Sequence, residues 1–284
     1  MVIVYLLIVL FSVTQSASTK YFNRRSDNSA VFNAVKSLSS LVMFALMAIP
    51  GFSLHIPTVL LGAAYGVCLC VSMYSGYKAL CLGPMSLTSM LSSFSVIIPL
   101  IWGVTFGKEK LNYLQYVAFV LLFVAIISTN ADKFRAAREK ETNHALWLTF
   151  VGITFLCNGG CSILQKYHQT LYPEAYGREF MLFAMLLCSV VFTAVVLIKT
   201  PLREIKDTKG KLFGVLSGFS NGMANFFTLI LAGFENASIL FPIISAGTIL
   251  SALLCGRVIF KEKLKINHYV ALFFGILAIV FLKL

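Results

Sequence analysis

Asn221, Asn225 and Thr228 follow one another at spacings of four and three, with Gly218 one turn earlier. In a helix that spacing puts all four on one face. Each amide carries two donors and an acceptor, and the threonine adds a hydroxyl. Such a face suits a zwitterion or another polar metabolite. The residues around it are apolar, so the same groups could instead bond one membrane helix to another. The residues alone leave both readings open. Polar groups inside hydrocarbon need a partner, which makes them the place to look for function.

Lys36 is the one basic residue well inside an apolar segment. Its charge would attract an anionic group such as a substrate carboxylate, although a lysine stem can also snorkel to the membrane surface. Gln15 and Ser18, and further along Asn158 and Gln165, extend the set of lining candidates. Ser72 and Ser75 do so with Tyr74 and Tyr77 beside them, Tyr77 being the better fit to an interfacial belt. Ser86, Ser89, Ser92 and Ser93 form a hydroxyl stripe, echoed by Ser245, Thr248 and Ser251. Hydroxyls of this kind by default bond back to their own helix. Pro99 and Pro242 each free a carbonyl and permit a kink.

The elements that must carry these groups follow from composition. The chain has 284 residues, is 58% hydrophobic and only 12% charged, with mean hydropathy +0.86. Soluble domains are about 25% charged, so this is expected to be an all-α integral membrane protein. Ten apolar runs stand at 1–19, 29–50, 57–79, 84–106, 112–130, 145–167, 176–198, 211–233, 236–259 and 267–283. The first has no basic n-region and no small-residue cleavage site, so it reads as a retained membrane helix. The net charge of +12 comes from Lys and Arg scattered through short loops. That pattern implies contact with the lipid bilayer and membrane orientation, and no nucleic-acid partner. The seven cysteines lie in apolar segments without histidine or acid at zinc-like spacing, and read as small buried hydrophobes. Neither a metal nor a cofactor is expected.

Lys108-Glu109-Lys110-Leu111 returns 153 residues later as Lys261-Glu262-Lys263-Leu264, and Tyr116-Val117-Ala118 returns at the same offset as Tyr269-Val270-Ala271. At that offset Asn225 and Thr228 overlay Ser72 and Ser75. The longest polar stretch, Asp132 to His144, falls between the fifth and sixth runs. The expected organisation is therefore a first five-helix repeat over 1–131, a polar linker over 132–144, and a second repeat over 145–284. Five is odd, so the second copy would enter the membrane from the opposite side, giving two inverted repeats. Seventeen basic residues fall on one side of these ten runs and five on the other. The positive-inside rule then puts both termini outside the cytoplasm.

With its two halves, each closing on a short Glu-bearing loop and a last Gly-containing helix, the chain resembles the drug/metabolite transporter superfamily, and within it the EamA-type transporters. The residues that carry the resemblance are Phe106-Gly107-Lys108-Glu109, Ile259-Phe260-Lys261-Glu262 and Gly83-Pro84. Where the family usually has a Gly-Glu pair, this chain carries an extra lysine before the Glu in both loops and lacks the Gly in the second. The resemblance implies a basket of helices around a central cavity and solute movement by alternating access. It also implies cytoplasmic termini, against the charge count. Lys36 falls where such transporters often carry Arg.

All eleven acidic residues lie in loops or near segment ends. The superfamily's small multidrug exporters use a mid-membrane Glu to exchange protons for cationic drugs, and the first segment here has none. Glu179 reads as an interfacial charge, and Glu109 and Glu262 as caps of the helices that follow them. The four histidines, His55, His144, His168 and His268, are far apart in sequence. No catalytic constellation or phosphate loop is visible, so an enzyme is not expected.

The expected function is a secondary transporter of a small polar metabolite, an amino acid or similar zwitterion, multi-pass in a bacterial cytoplasmic (inner) membrane. Asn221, Asn225, Thr228, Ser72, Ser75, Tyr74, Gln15, Asn158 and Lys36 would form its substrate site. One alternative is a carrier of a nucleotide-sugar or lipid-linked solute. Another is a non-transporting scaffold or receptor. Homodimerisation stays open.

Overall fold

A computed structural model of the protein describes residues 1–23, 28–82, 88, 91–136, 144–201, 205, 208–258, 261 and 265–284. Among them α-helices follow one another and no strand occurs. They are α1 (Val2–Asn23), α2 (Ser29–Ala48), α3 (Ile56–Leu82), α4 (Ile97–Thr105), α5 (Tyr113–Ala136), α6 (His144–Leu171), α7 (Gly177–Lys199), α8 (Lys211–Phe234), α9 (Ala237–Val258) and α10 (Ile266–Lys283). Long apolar runs take this form because in lipid every backbone N–H and C=O must be satisfied within its own segment. Eight of these helices are long and apolar enough to cross a membrane, which makes this a multi-pass membrane protein. The apolar stretches of the other two are shorter, Leu91–Thr105 and Tyr113–Thr129.

The expected fourth segment is seen in part, because Gly83, Pro84, Ser86 and Ser89 lie outside the described residues. So do Glu262, Lys263, Leu264 and most of the expected linker. What is described of that linker is helical. α5 continues to Ala136 and α6 begins at His144. The kink permitted at Pro99 takes the form of a local change of helix type, whereas α9 runs through Pro242 as helix. A 3₁₀ turn at Phe94–Val96 precedes α4, since the proline ring would collide with the carbonyl four residues back in an unbroken α-helix.

The helices sort into two compact units. The first holds residues 1–70 and 164–233, and the second 71–163 and 234–284. Each draws on both sequence halves, and α3 and α6 contribute to both.

In the first unit, α2 packs along α7. Small residues bring backbones together, as expected where lipid gives no hydrophobic drive between helices. A Cβ at Gly62 or Gly66 of α3 would lie 2.6 Å from the Phe180 carbonyl oxygen or 2.8 Å from that of Ala184 on α7. A Cβ at Gly218 of α8 would collide with the Lys36 carbonyl oxygen on α2. Ser40 Oγ donates to the Gly218 carbonyl at 2.6 Å and Ser39 Oγ to that of Val215 at 2.8 Å, which closes the α2–α8 seam. Gly218 is therefore a packing residue, although it shares a helix face with Asn221. α1 lies along α8 through Phe11 on Phe219 and Phe227, and through Tyr21 stacked on Phe213.

In the second unit, α5 packs along α10, and α9 against α4, α5 and α10. Glu109 does not cap the helix after it, as the sequence suggested. Its carboxylate accepts the N–H groups of Ala237 (2.7 Å) and Ser238 (2.9 Å) and the Ser238 hydroxyl, so it caps α9. A carboxylate there satisfies orphan N–H groups and meets the positive end of the helix dipole. Asn112 caps α5 instead, accepting from Leu114 N–H, while Gln115 accepts from Asn112 N–H. Lys108 and Lys261, equivalent in the sequence repeat, both take positive φ, 50° and 52°.

Candidate functional site

The anticipated substrate residues fall into both units, and their hydrogen bonding divides them. In the first unit Asn225 is tied in. Tyr65 Oη donates to its Oδ1 at 3.0 Å. Gln165 Nε2 reaches Tyr65 Oη at 3.3 Å and Asn225 Oδ1 at 3.5 Å. Asn225 Nδ2 donates to the Asn221 carbonyl at 2.8 Å. Tyr65 and Gln165 are buried. Asn225 thus joins α3, α6 and α8, with one N–H left over. Thr228 is buried and donates to the Ala224 carbonyl on its own helix.

Asn221 differs. It is half-buried, and among the described residues its side chain forms no hydrogen bond. Gln15 on α1 and Lys36 on α2 are alike in this, each half-buried with no side-chain hydrogen bond or ion pair among the described residues. Neighbouring contacts bring them to one level. Phe11, one turn before Gln15, touches Phe219 and Phe227, and Thr19, one turn after it, meets Ser217 with 3.4 Å between hydroxyls. Gln15 therefore stands opposite the middle of α8, where Asn221 lies. Lys36 opposes Gly218, one turn from Asn221. The hydroxyl of Ser220, next to Asn221, is buried with no partner among the described residues. Three elements of one unit thus present unused donors, unused acceptors and a cation within about two turns of α8.

In the second unit the anticipated residues hold α3 to α6. Ser72 Oγ donates to Asn158 Oδ1 at 2.6 Å, and Ser75 and Thr154 hydroxyls meet at 2.8 Å opposite Gly76. Asn158 keeps its N–H groups unused among the described residues. Tyr74 is 51% exposed and carries the Lys78 ammonium 5.8 Å over its ring. Beside this seam lies an apolar cavity of about 460 Å³, with Phe94, Phe123, Leu148, Val151 and Phe155 among its lining. A Cβ at Gly152 would meet nothing within 4 Å there.

Sequence reasoning missed Tyr65, an aromatic in an unbroken apolar run that carries no local mark of a polar role. It also missed a cluster at the α6–α7 turn. His55 Nδ1 lies 3.0 Å from Thr58 Oγ1, which lies 3.3 Å from His168 Nε2. Thr58 and His168 are fully buried. Glu179, expected at the interface, is 3% exposed and accepts the Ser53 N–H at 3.3 Å. The seven cysteines are free, and Cys70 and Cys188 bring their sulfurs to 3.4 Å.

No family model matches the sequence, and no curated protein matches it. The fold itself is a known one, matched by 28 solved chains. One of these, described only as a crystal structure of a protein, superposes with a TM-score of 0.80 at 11% identity, over 98% of this chain and 94% of its own. At that identity the likeness concerns the arrangement of helices alone.

Proposed function

We propose that the chain is a secondary transporter of a small polar metabolite, built as two inverted five-helix repeats like those of the drug/metabolite transporter superfamily. The observation that carries this reading is the set formed by Asn221, Gln15 and Lys36. These groups lie in membrane-spanning helices with their hydrogen-bonding capacity unused. An unsatisfied polar group in hydrocarbon costs several kcal/mol, so a protein that keeps three in one unit has a polar partner for them. A ligand with a carboxylate for Lys36 and amide-matching groups for Asn221 and Gln15 supplies it.

The pairings support the repeat. α2 packs on α7 and α5 on α10, each with its own counterpart in the other half. The α1–α8 seam has its counterpart in α6–α3, and the glycine contacts of α3 with α7 have theirs in α8 with α2. Lys108 and Lys261 share a rare backbone conformation at equivalent positions. Alternating access between such halves is the usual use of this architecture.

The test is flux of labelled amino acids into vesicles holding the purified protein. Parent protein takes up a polar metabolite, and Asn221→Leu abolishes uptake while folding normally. Uptake unchanged in Asn221→Leu removes the site. The apolar cavity of the second unit favours a second reading, a carrier of a lipid-linked solute. Competition of uptake by an amphiphile, lost on Gly152→Phe, would select it.

A further inference from the structure

We propose that His55 is a proton-binding site, and that its charge is read at the buried His168 through the hydroxyl of Thr58. The geometry fixes every donor in this chain of contacts. Glu174 N–H donates to Gln169 Oε1 at 3.3 Å, which identifies the other end of that amide as its nitrogen. Gln169 Nε2 lies 3.2 Å from His168 Nδ1. The amide nitrogen can only donate, so Nδ1 accepts and carries no proton. His168 is then the neutral Nε2–H tautomer, and it donates to Thr58 Oγ1. The threonine hydroxyl proton is left for His55 Nδ1.

His168 cannot take a second proton without confronting the N–H of Gln169. His55 can, because it is half-buried and precedes α3. A proton from water binds at His55 Nδ1, which then donates to Thr58 Oγ1. The hydroxyl must turn its own proton away while still accepting from His168. The contact joining the start of α3 to the end of α6 is rearranged, and the proton stays on His55.

The groups packed around this site suit a site that gains positive charge. Glu179 of α7 holds the Ser53 N–H two residues from His55. Arg178 is drawn off to the carbonyls of Met47 and Pro50. Lys166 of α6 donates to the Ala232 carbonyl. Tyr176 stacks on the His55 ring at 4.6 Å, and Tyr172 meets it edge-on at 4.7 Å. Glu174 is exposed. The consequence for function, that the coupling ion is a proton, rests on the transport reading, whereas the proton site does not.

Nuclear magnetic resonance of isotope-labelled ring nitrogens tests it on the full chain in a lipid nanodisc, with only four histidines to assign. Spectra are compared across about pH 5 to pH 8, the range in which histidine side chains change charge. His168 stays an Nε2–H tautomer, and its Nε2 resonance moves in step with the ring-nitrogen resonances of His55. Thr58→Val removes that movement and Thr58→Ser, which keeps the hydroxyl, restores it. A His168 that carries its proton on Nδ1, titrates by itself, or ignores His55 in the parent overturns the proposal. Vesicle flux separates the two layers. If the nitrogen signature holds and flux is driven by a pH gradient and lost in His55→Gln, coupling is supported. If flux occurs but ignores the gradient, the coupling role is refuted. If no solute moves, transport itself fails and the proton site stands.

Discussion

The two units treat their polar residues in opposite ways. In the second, Ser72 donates to Asn158 and Ser75 meets Thr154 across α3 and α6, with the Asn158 N–H groups the one capacity left over in this seam among the described residues, and Glu109 closes the start of α9. In the first, Asn225, Tyr65 and Gln165 do the same, yet Asn221, Gln15 and Lys36 stand beside them without partners among the described residues. Two asparagines one turn apart on α8 therefore have different work. Asn225 holds helices together, and Asn221 keeps its amide unused among the described residues. A polar residue in a membrane helix points to function only after its hydrogen bonds have been traced.

The largest effects should fall on the seams that make this contrast possible. Removing the Glu109 side chain strips the cap of α9, and Glu109→Ala should cost about 2–3 kcal/mol, a charge-assisted hydrogen bond alone being worth about 1.5–3. Thermal unfolding in detergent reads it, and Glu109→Gln should recover part of the loss. Gly218→Ala should cost about 1–3 kcal/mol by driving a Cβ into the Lys36 carbonyl. Gly152→Ala, in open space, should change stability by less than about 0.5 kcal/mol. Equal costs at the two glycines would remove the distinction between seam and cavity.

A sharper separation comes from the asparagines. Asn225→Leu removes the acceptor that the Tyr65 hydroxyl and Gln165 Nε2 share and should destabilise by about 1–3 kcal/mol. Asn221→Leu should leave the unliganded protein at least as stable as the parent, since it breaks no side-chain bond and removes an unsatisfied polar group. In the second unit Ser75→Ala should cost about 0.6 kcal/mol, the average for a hydrogen bond between membrane helices. Smallest of all, Lys108→Gly should gain a few tenths of a kcal/mol, as relief of positive φ outweighs the entropy glycine adds to the unfolded chain.

Much of this was legible in the sequence. Long apolar runs announce helices because lipid leaves the backbone no alternative, and the Lys-Glu-Lys-Leu repeat marks positions that share a backbone conformation. The polar face of α8 was legible as a face. Its division was not, because the partner of Asn225 comes from Tyr65, 160 residues away, and side-chain spacing along one helix says nothing of what stands opposite. Glu109 misled for the same reason. A carboxylate just before a helix reads as its cap, but this one reaches α9, 128 residues on. His55 and His168 looked isolated because the buried hydroxyl between them belongs to a third position, Thr58.

The central claim, that Asn221 and not Asn225 meets the ligand, is tested most directly by ligand-induced thermal shift. The purified parent, Asn221→Leu and Asn225→Leu would each be screened against amino acids, nucleosides, sugars and quaternary amines. A ligand at about 100 times its dissociation constant stabilises by about 2.7 kcal/mol, well above scatter. The account predicts a polar metabolite that raises the melting temperature of the parent and of the already weakened Asn225→Leu, but not of Asn221→Leu, which without ligand melts no lower than the parent. A shift that survives in Asn221→Leu, or one that is lost only in Asn225→Leu, would contradict it.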